Sequence, residues 1–217
     1  MEHSIGCLRI GVSMRVTTAV DYFEKRDALS QDWQIFLSEY LPEAISMPLP
    51  NLGDSIIQDV VEPWHINAFI LTGGDDLGVF PERDVTETAI LTYAIAHHLP
   101  VLAVCRGFQL LQTYYGGSLS DCDRQVHMAT HHKVIAGKID FEVNSYHTKA
   151  ILAENLAPHL KAIAFAPDGG VEAAAIKCEP VLALMWHPER EDRVNRFESG
   201  LIRQLFLEPA TFKLMKQ

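Results

Sequence analysis

The sequence predicts an α/β protein built on a mostly parallel sheet that helices cover on both faces. Apolar segments of four or five residues alternate with stretches of helical periodicity along the first half of the chain. These apolar segments lack polar alternation, as expected of strands that are buried on both faces. No low-complexity linker interrupts residues 1–217, so we expect one domain.

The first half of the chain supplies the opening strand–helix pairs. Residues 8–12 (LRIGV) predict a strand, and residues 27–40 place apolar side chains at intervals of three and four, which is typical of a helix. Residues 67–71 (NAFIL) predict the second strand. The helix after it is expected to have Asp84 as its N-cap, with Glu87 three positions on as in a capping box.

The next pair is the most regular part of the pattern. Residues 100–104 (PVLAV) predict a fully buried strand, and residues 107–115 predict a helix that two glycines end. The remaining segments are shorter and predict strands at 141–143, 162–165, 171–173 and 181–185. A last helix is predicted over residues 193–206.

The composition excludes several classes of function. The chain is 48% apolar and has 28 acidic against 18 basic residues, a formal net charge of −10. Such a surface repels phosphate backbones, so we expect no nucleic-acid partner. We expect no membrane partner, because no apolar run is long enough to cross a bilayer. Without a signal-peptide pattern, and with four separated cysteines expected to be free thiols, the protein is predicted to be cytoplasmic.

Cys105 is the first candidate catalytic residue. It directly follows the buried strand at 100–104 and precedes a helix, which places its thiol at the carboxyl edge of a parallel sheet. A helix N-terminus favours the thiolate form. Small residues at 103 and 107 suit the tight strand–turn–helix corner called a nucleophile elbow, although a lone cysteine is more commonly a buried structural residue.

His187 and Glu189 complete a candidate triad. They follow the predicted strand at 181–185, so they too emerge at a sheet edge. A nucleophilic thiol needs a base, and the base needs a third group to orient it. Glycines at 73 and 74 directly follow another buried strand; the N–H of Gly74, paired with that of Arg106, would form an oxyanion hole.

Four ordered motifs resemble the class I glutamine amidotransferase-like hydrolases, and within them the gamma-glutamyl hydrolase branch. They are LTGG (71–74), VCRGFQ (104–109), VNSYH (143–147) and WHPE (186–189). The resemblance implies a flavodoxin-like three-layer sandwich and a Cys105–His187–Glu189 triad. It implies that Cys105 attacks a gamma-glutamyl carbonyl to form a thioester, which water hydrolyses. Neither a metal nor an organic cofactor is implied.

The same resemblance implies residues that bind the substrate. Gln109 matches a family residue that contacts the glutamyl group, and Asn144, Ser145 and Tyr146 match the segment that holds its amino and carboxylate ends. Lys149 stands near where the family often has glutamine, so specificity is expected to differ.

A finer likeness is to the surface-polysaccharide branch of the family, through KRDALSQDW (25–33), GGDDLG (73–78) and PERDVTE (81–87). One class of that branch removes the gamma-glutamyl group from a cytidine diphosphate amidate during capsule decoration. A diphosphate leaving group would suit guanidinium partners, for which the candidates are Arg15, Arg26, Arg83 and Arg106.

Alternatives stay open on the sequence alone. A glutaminase subunit would deliver ammonia to a synthetase on another chain, and a regulatory homologue would bind without catalysis. Oligomeric state, including a homodimer, is undecided. His127 and His131 are spaced for a helical metal site, with His132 and His147 nearby, but no acid or cysteine completes it at convincing spacing. We therefore expect no metal and interpret this region as a polar loop.

Overall fold

The computed structural model describes residues 7–191 and 195–212. The strands in the described residues are β1 (Arg9–Ser13), β2 (Arg15–Thr18), β3 (Lys25–Ala28), β4 (Ile45–Leu49), β5 (Ala68–Leu71), β6 (Val101–Val104), β7 (Ser120–Asp121), β8 (Met128–Ala136), β9 (Ile139–Tyr146), β10 (Lys149–Ala150), β11 (Leu160–Phe165), β12 (Val171–Ile176) and β13 (Val181–Leu184). The α-helices are α1 (Asp32–Tyr40), α2 (Pro81–Ala96), α3 (Arg106–Tyr114), α4 (Arg124–His127) and α5 (Arg196–Leu207).

One nine-stranded sheet has the order β4-β1-β5-β6-β13-β12-β11-β8-β9. The first five strands in this order pair in parallel, and the other four pairings are antiparallel. Numbered by their own chain order, the parallel strands run 2-1-3-4-5, which is the flavodoxin-like order. The predicted α/β class is confirmed, with an antiparallel extension on one side.

Helices cover both faces of the parallel strands. Side chains of a buried strand alternate between the two faces, so Ile70 and Leu102 pack in one core with α1 and α5. Their neighbours Phe69 and Val101 pack in a second core with α2 and α3. These two cores make the three layers expected of a doubly wound fold. Among the described helices, none combines the length and apolar character needed to cross a membrane.

Two predictions about the elements are wrong, and β4 was not predicted. The first helix begins at Asp32, because residues 25–28 pair with β2 as a strand. Residues 45–49 are a strand despite Pro48, which an edge strand tolerates because one side of its backbone needs no partner. The histidine-rich region is not a loop, since residues 128–136 form β8.

The predicted capping box is also wrong. Helix α2 begins at Pro81, where the missing N–H of proline costs nothing, and its N-cap is Phe80. The carboxylate of Asp84 accepts from the N–H of Gly78, and Glu87 is buried. The last helix begins at Arg196; its predicted start at position 193 lies outside the described residues.

Candidate active site

The catalytic candidates meet because two parallel strands are neighbours. Strands β6 and β13 pair with Val104 opposite Leu184, so the turns that follow them leave the sheet at the same edge. Cys105 stands in the first turn and its N–H donates to the carbonyl of Leu184 at 2.7 Å. His187 and Glu189 stand in the second turn. The pairing of β6 with β13 therefore explains why the motif with Cys105 lies next to the motif with His187 and Glu189.

Cys105 occupies a strained elbow. Its backbone has φ +50° and ψ −100°, a conformation that residues with a Cβ rarely adopt, and it is the N-cap of α3. The corner needs a small residue two positions on: a Cβ at Gly107 would lie 2.4 Å from the carbonyl oxygen of Leu71. Helix α3 thus approaches β5 closely, which fixes the direction of the thiol.

His187 is held by hydrogen bonds on two sides. Its Nδ1 donates to Oε1 of Glu189 at 2.7 Å, which fixes the orientation of the ring, and both side chains are buried. The backbone of His187 is fixed by Asn144, whose Oδ1 accepts from the His187 N–H at 3.0 Å and whose Nδ2 donates to the His187 carbonyl at 2.8 Å. Asn144 also donates to Glu191.

The electrostatics of the pair favour a charged imidazole. Burial lowers the pKa of His187, but interactions with Cys105 and with Glu189 outweigh it and raise the pKa to about 9. At neutral pH the ring therefore carries a proton on both nitrogens.

The glycines after β5 are required by close contacts. A Cβ at Gly73 would lie 2.3 Å from Cε1 of His187, so only glycine fits against the ring. Gly74 has φ +147°, and a Cβ there would lie 2.4 Å from Nη1 of Arg83. The two N–H groups predicted to form an oxyanion hole, those of Gly74 and Arg106, lie on turns after adjacent strands β5 and β6.

A buried ion network supports these turns and was not predicted. Arg83 donates to Glu87 at 2.9 Å and to the carbonyls of Thr72 and Gly73 at 2.8 and 3.1 Å. Arg106 pairs with Glu87 and with Asp84. Because both guanidinium groups are buried and paired with carboxylates, they are not available to the diphosphate that the sequence suggested. They hold the turns in place instead.

The other predicted binding residues lie around the triad and differ in which protein groups they contact. Gln109 is buried and its Nε2 is 3.4 Å from the carbonyl of Lys149, to which it donates. Ser145 donates to the carbonyl of His127 at 2.7 Å. The ring of Tyr146 meets that of His187 edge to face, with centroids 5.7 Å apart. Polar atoms of Asn144 and Ser145 are thus already bonded within the protein.

The two remaining arginine candidates lie on the β2–β3 hairpin. Arg15 reaches Asp75 at 3.4 Å and is about half exposed. It lines a pocket with Gly73, Glu189 and Arg190. Arg26 is exposed and pairs with Glu24 and Tyr22 of the same hairpin, and it is not among the residues that line this pocket.

Arg190 was not singled out from the sequence. It follows the triad glutamate directly, lies 4.7 Å over the ring of Tyr146 and approaches Glu189 at 3.6 Å. The sequence could have indicated Arg190, because it directly follows the WHPE motif, which leaves the sheet at the candidate site. The pocket therefore has two cationic side chains at its wall, Arg15 and Arg190.

Comparison with known proteins gives a consistent result. Residues 14–189 match the peptidase C26 family. The gamma-glutamyl-CDP-amidate hydrolase of Campylobacter jejuni is 31% identical over 197 residues, covering 87% of this chain and 94% of that protein. The gamma-glutamyl-gamma-aminobutyrate hydrolase PuuD of Escherichia coli strain K12 is 32% identical over 161 residues, or 61% of each chain. A glutamine amidotransferase structure from Thermotoga maritima superposes with TM-score 0.59 at 13% identity, over 84% of this chain and 76% of that one.

Proposed function

This chain belongs to the peptidase C26 family, and from that premise we propose that it hydrolyses a gamma-glutamyl amide with Cys105 as nucleophile. The observation that carries the proposal is the geometry of two adjacent turns. A thiol on a strained elbow lies beside an imidazole, and that imidazole donates to a buried carboxylate at 2.7 Å. This is the constellation of nucleophile, base and orienting group that acyl transfer requires.

In the proposed reaction, Sγ of Cys105, whose proton His187 has taken, attacks the side-chain carbonyl carbon of the gamma-glutamyl group. The C–N bond breaks after the tetrahedral intermediate, and His187 gives its proton to the leaving nitrogen. Water then attacks the thioester, His187 takes a proton from that water, and glutamate leaves with Cys105 restored. The N–H groups of Gly74 and Arg106 are proposed to bind the oxyanion in both steps.

The state of His187 suits its first task. A pKa raised to about 9 keeps the imidazole protonated at neutral pH, so an acid is in place for the leaving nitrogen. Glu189 stabilises that charged ring and holds its orientation. Gln109, Ser145 and Tyr146 are proposed to bind the glutamyl group. Asn144, also expected there from the sequence, is proposed to position His187 through two hydrogen bonds to its backbone.

We further propose that the leaving group is a nucleotide-linked amidate. Two observations support this: the similarity to the Campylobacter hydrolase spans nearly the full length of both chains, and Arg15 and Arg190 place cationic groups at the pocket. Guanidinium groups bind phosphate oxygens in paired hydrogen bonds. A cytoplasmic step of surface-polysaccharide decoration is the corresponding proposed role.

The test is a comparison of three gamma-glutamyl amides. The purified protein is incubated with a gamma-glutamyl cytidine diphosphate amidate, with gamma-glutamyl-gamma-aminobutyrate and with glutamine, and free glutamate is followed. We expect kcat/KM for the nucleotide amidate to exceed the others by about 10²-fold or more, because the guanidinium groups of Arg15 and Arg190 would make charge-assisted hydrogen bonds to phosphate oxygens.

Matched cysteine variants assign the nucleophile. Cys105→Ser is expected to lose turnover, while Cys178→Ser keeps it, because Cys178 is exposed and precedes β13, at the opposite end of that strand from His187 and Glu189. Equal turnover by wild type and Cys105→Ser would contradict the mechanism. Glutamine turnover that appears only with an added synthetase would instead establish the glutaminase alternative.

A further inference from the structure

A second cluster of titratable side chains lies outside the triad. Three histidines and one carboxylate converge where the end of α4, strand β8, the end of β9 and strand β12 meet; they are His127, His132, His147 and Glu172. Exposure is 1% for His127, 3% for His147 and 2% for Glu172. No step of the proposed reaction uses any of them.

The outer nitrogen of each of two rings is already bonded. Nε2 of His127 lies 2.8 Å from Oδ2 of Asp168, and Nδ1 of His147 lies 3.1 Å from the carbonyl oxygen of Lys149. A carbonyl or carboxylate oxygen accepts, so these ring nitrogens carry the hydrogens. The lone pairs are then on Nδ1 of His127 and Nε2 of His147, the tautomers that carboxylate and carbonyl partners select in metal-binding histidines.

The inner atoms are buried and unpartnered. Within the described residues, Nδ1 of His127, both nitrogens of His132, Nε2 of His147 and Oε2 of Glu172 have no hydrogen-bond partner. Burying polar atoms without partners costs free energy, so a native structure gathers several of them only where something satisfies them together.

The spacing of these atoms fits a small cation. Oε1 of Glu172 lies 3.6 Å from Nε2 of His147, and Oε2 lies 3.4 Å from Nε2 of His132. Both distances are long for hydrogen bonds. Two ligands at 2.0–2.1 Å from a tetrahedral zinc ion are roughly 3.3 Å apart. Ligand atoms of His127, His147 and Glu172 all lie within 4.8 Å of one another.

We propose that His127, His147 and Glu172 bind a zinc ion; His132, whose Nε2 lies 3.4 Å from Oε2 of Glu172, is the proposed fourth ligand although it lies outside that group of three. Imidazole nitrogens with one carboxylate form a donor set that zinc accepts and that magnesium and calcium, which prefer oxygen, do not. Three histidines and one carboxylate would make a closed four-coordinate site, so the proposed role of the ion is structural. Asp168 and the carbonyl of Lys149 hold two of the rings from outside.

The site connects to the triad through the backbone. Ser145 donates to the carbonyl of His127, and its neighbour Asn144 holds the N–H and carbonyl of His187. A metal that fixes α4, β8 and the end of β9 against β12 would therefore also fix the segment that positions the imidazole of His187. This inference does not depend on which amide the protein cleaves.

The structure overturns the expectation that no acid completes a histidine site. Glu172 lies on β12, far along the chain from His127, and only the fold brings the two together. The pair that the sequence suggested, His127 and His131, does not form, because His131 lies on β8 and is exposed.

The first test is metal content of untagged protein purified without chelator, measured by mass spectrometry. We expect about one zinc ion per chain in the wild type. Content is expected to fall below about a tenth of that in His147→Ala and Glu172→Gln, since removing one of four ligands typically costs most of the affinity. His131 is exposed and lies on β8 next to His132, so His131→Ala is expected to keep the wild-type zinc content.

A second measurement keeps the proposal testable if a buried variant fails to fold. Zinc is removed from the wild type with a chelator and Co²⁺ is added; the site predicts the visible absorption of four-coordinate cobalt at one equivalent. Zinc, but not magnesium, is expected to raise the Tm of the metal-free wild type. Wild-type protein with no bound zinc, no cobalt spectrum and no shift in Tm would overturn the proposal in favour of a buried histidine–carboxylate network. So would equal metal loss in His131→Ala.

Discussion

The proposed activity is most sensitive to small changes around His187, because its neighbours determine the charge and the position of its ring. Glu189 orients its ring, Asn144 holds its backbone, and Gly73 leaves no free space on one side of it. A displacement of about 1 Å in a catalytic group can cost roughly 10²-fold in rate. Three predictions follow from these contacts, two on charge and one on position.

The charge of His187 predicts the alkaline limb of the pH–rate profile. We expect kcat/KM to fall as pH rises through about 9, where the imidazole loses the proton that the leaving nitrogen needs. Glu189→Gln removes one of the interactions that raise this pKa, so the alkaline limb is expected to move to lower pH, with a loss of about 10²–10⁴-fold in kcat at neutral pH. A limb that stays at the same pH in Glu189→Gln would contradict the assignment of Glu189.

The same pKa links folding to pH. Because the pKa of His187 is raised from 6.5 in the unfolded chain to about 9 in the fold, its contribution to stability is fully present below about pH 6.5. That contribution is lost as pH rises through about 9. Denaturant titrations of the wild type and His187→Gln at pH 6 and pH 9.5 measure it, and the wild type is expected to lose more stability between the two pH values.

The position of His187 predicts the effect of a single methyl group at Gly73. In Gly73→Ala the added Cβ would lie 2.3 Å from Cε1 of the imidazole, so the ring must move. We expect kcat to fall by about 10²-fold or more while the protein still folds. Gly200→Ala is the matched control: it lies in α5 with open space around it, and alanine there is expected to add about 0.5–1 kcal/mol of stability with unchanged kcat.

At the start of α2, the spacing of two acidic residues matches a capping box, but the residues have other roles in the fold. Asp84 and Glu87 have the spacing of a capping box, yet Asp84 pairs with Arg106 and Glu87 lies between two arginines. Side-chain partners from α3 and from β1, whose Ser13 donates to Glu87 at 2.7 Å, decided the roles of both acids. Local spacing cannot reveal a partner that only the fold supplies.

This network predicts a large difference between two carboxylates. Glu87→Gln leaves Arg83 and Arg106 buried without their shared counter-charge, so we expect a loss of about 3–5 kcal/mol in the free energy of unfolding. Asp140→Asn breaks an exposed pair with Lys133 and is expected to change nothing measurable. Urea titrations of both variants provide the comparison, and similar losses would refute the supporting role assigned to the network.

The elements around the triad were more predictable than those at the sheet margin. Strands β5, β6 and β13 are apolar on both faces, so their uninterrupted apolar runs identify them, and the residues that follow them are the site. Strands β4 and β8 are partly exposed and carry proline or histidines, so their composition resembles that of loops. The histidine cluster was considered and set aside because its acid, Glu172, lies on β12 and only the fold brings it to the histidines.

At the scale of the whole molecule, β13 joins the two halves of the sheet. It pairs in parallel with β6 on one side and antiparallel with β12 on the other. The antiparallel half therefore attaches to the parallel half through this one strand, and both hydrophobic cores include side chains of β12 and β13. This continuity is the physical basis for proposing one domain over the chain.

A single domain predicts a single unfolding transition. Two of the three tryptophans, Trp33 and Trp186, are buried in the core that contains α1 and α5, so fluorescence reports on that layer. Far-UV circular dichroism reports on all helices. We expect the two urea curves to coincide, because the sheet shares its strands between both cores. Separate midpoints would show that the halves joined by β13 unfold independently.

The strand that joins the halves also sets when reactivity arises during biosynthesis. Cys105 is synthesised well before β13. Until β13 pairs with β6, the thiol has neither its proposed base nor the turn that carries that base. A nascent or truncated chain therefore carries an ordinary cysteine, in a region where long-range parallel pairing forms slowly. Under the proposed mechanism, Cys105 becomes reactive only after β13 has paired with β6 and brought His187 beside it.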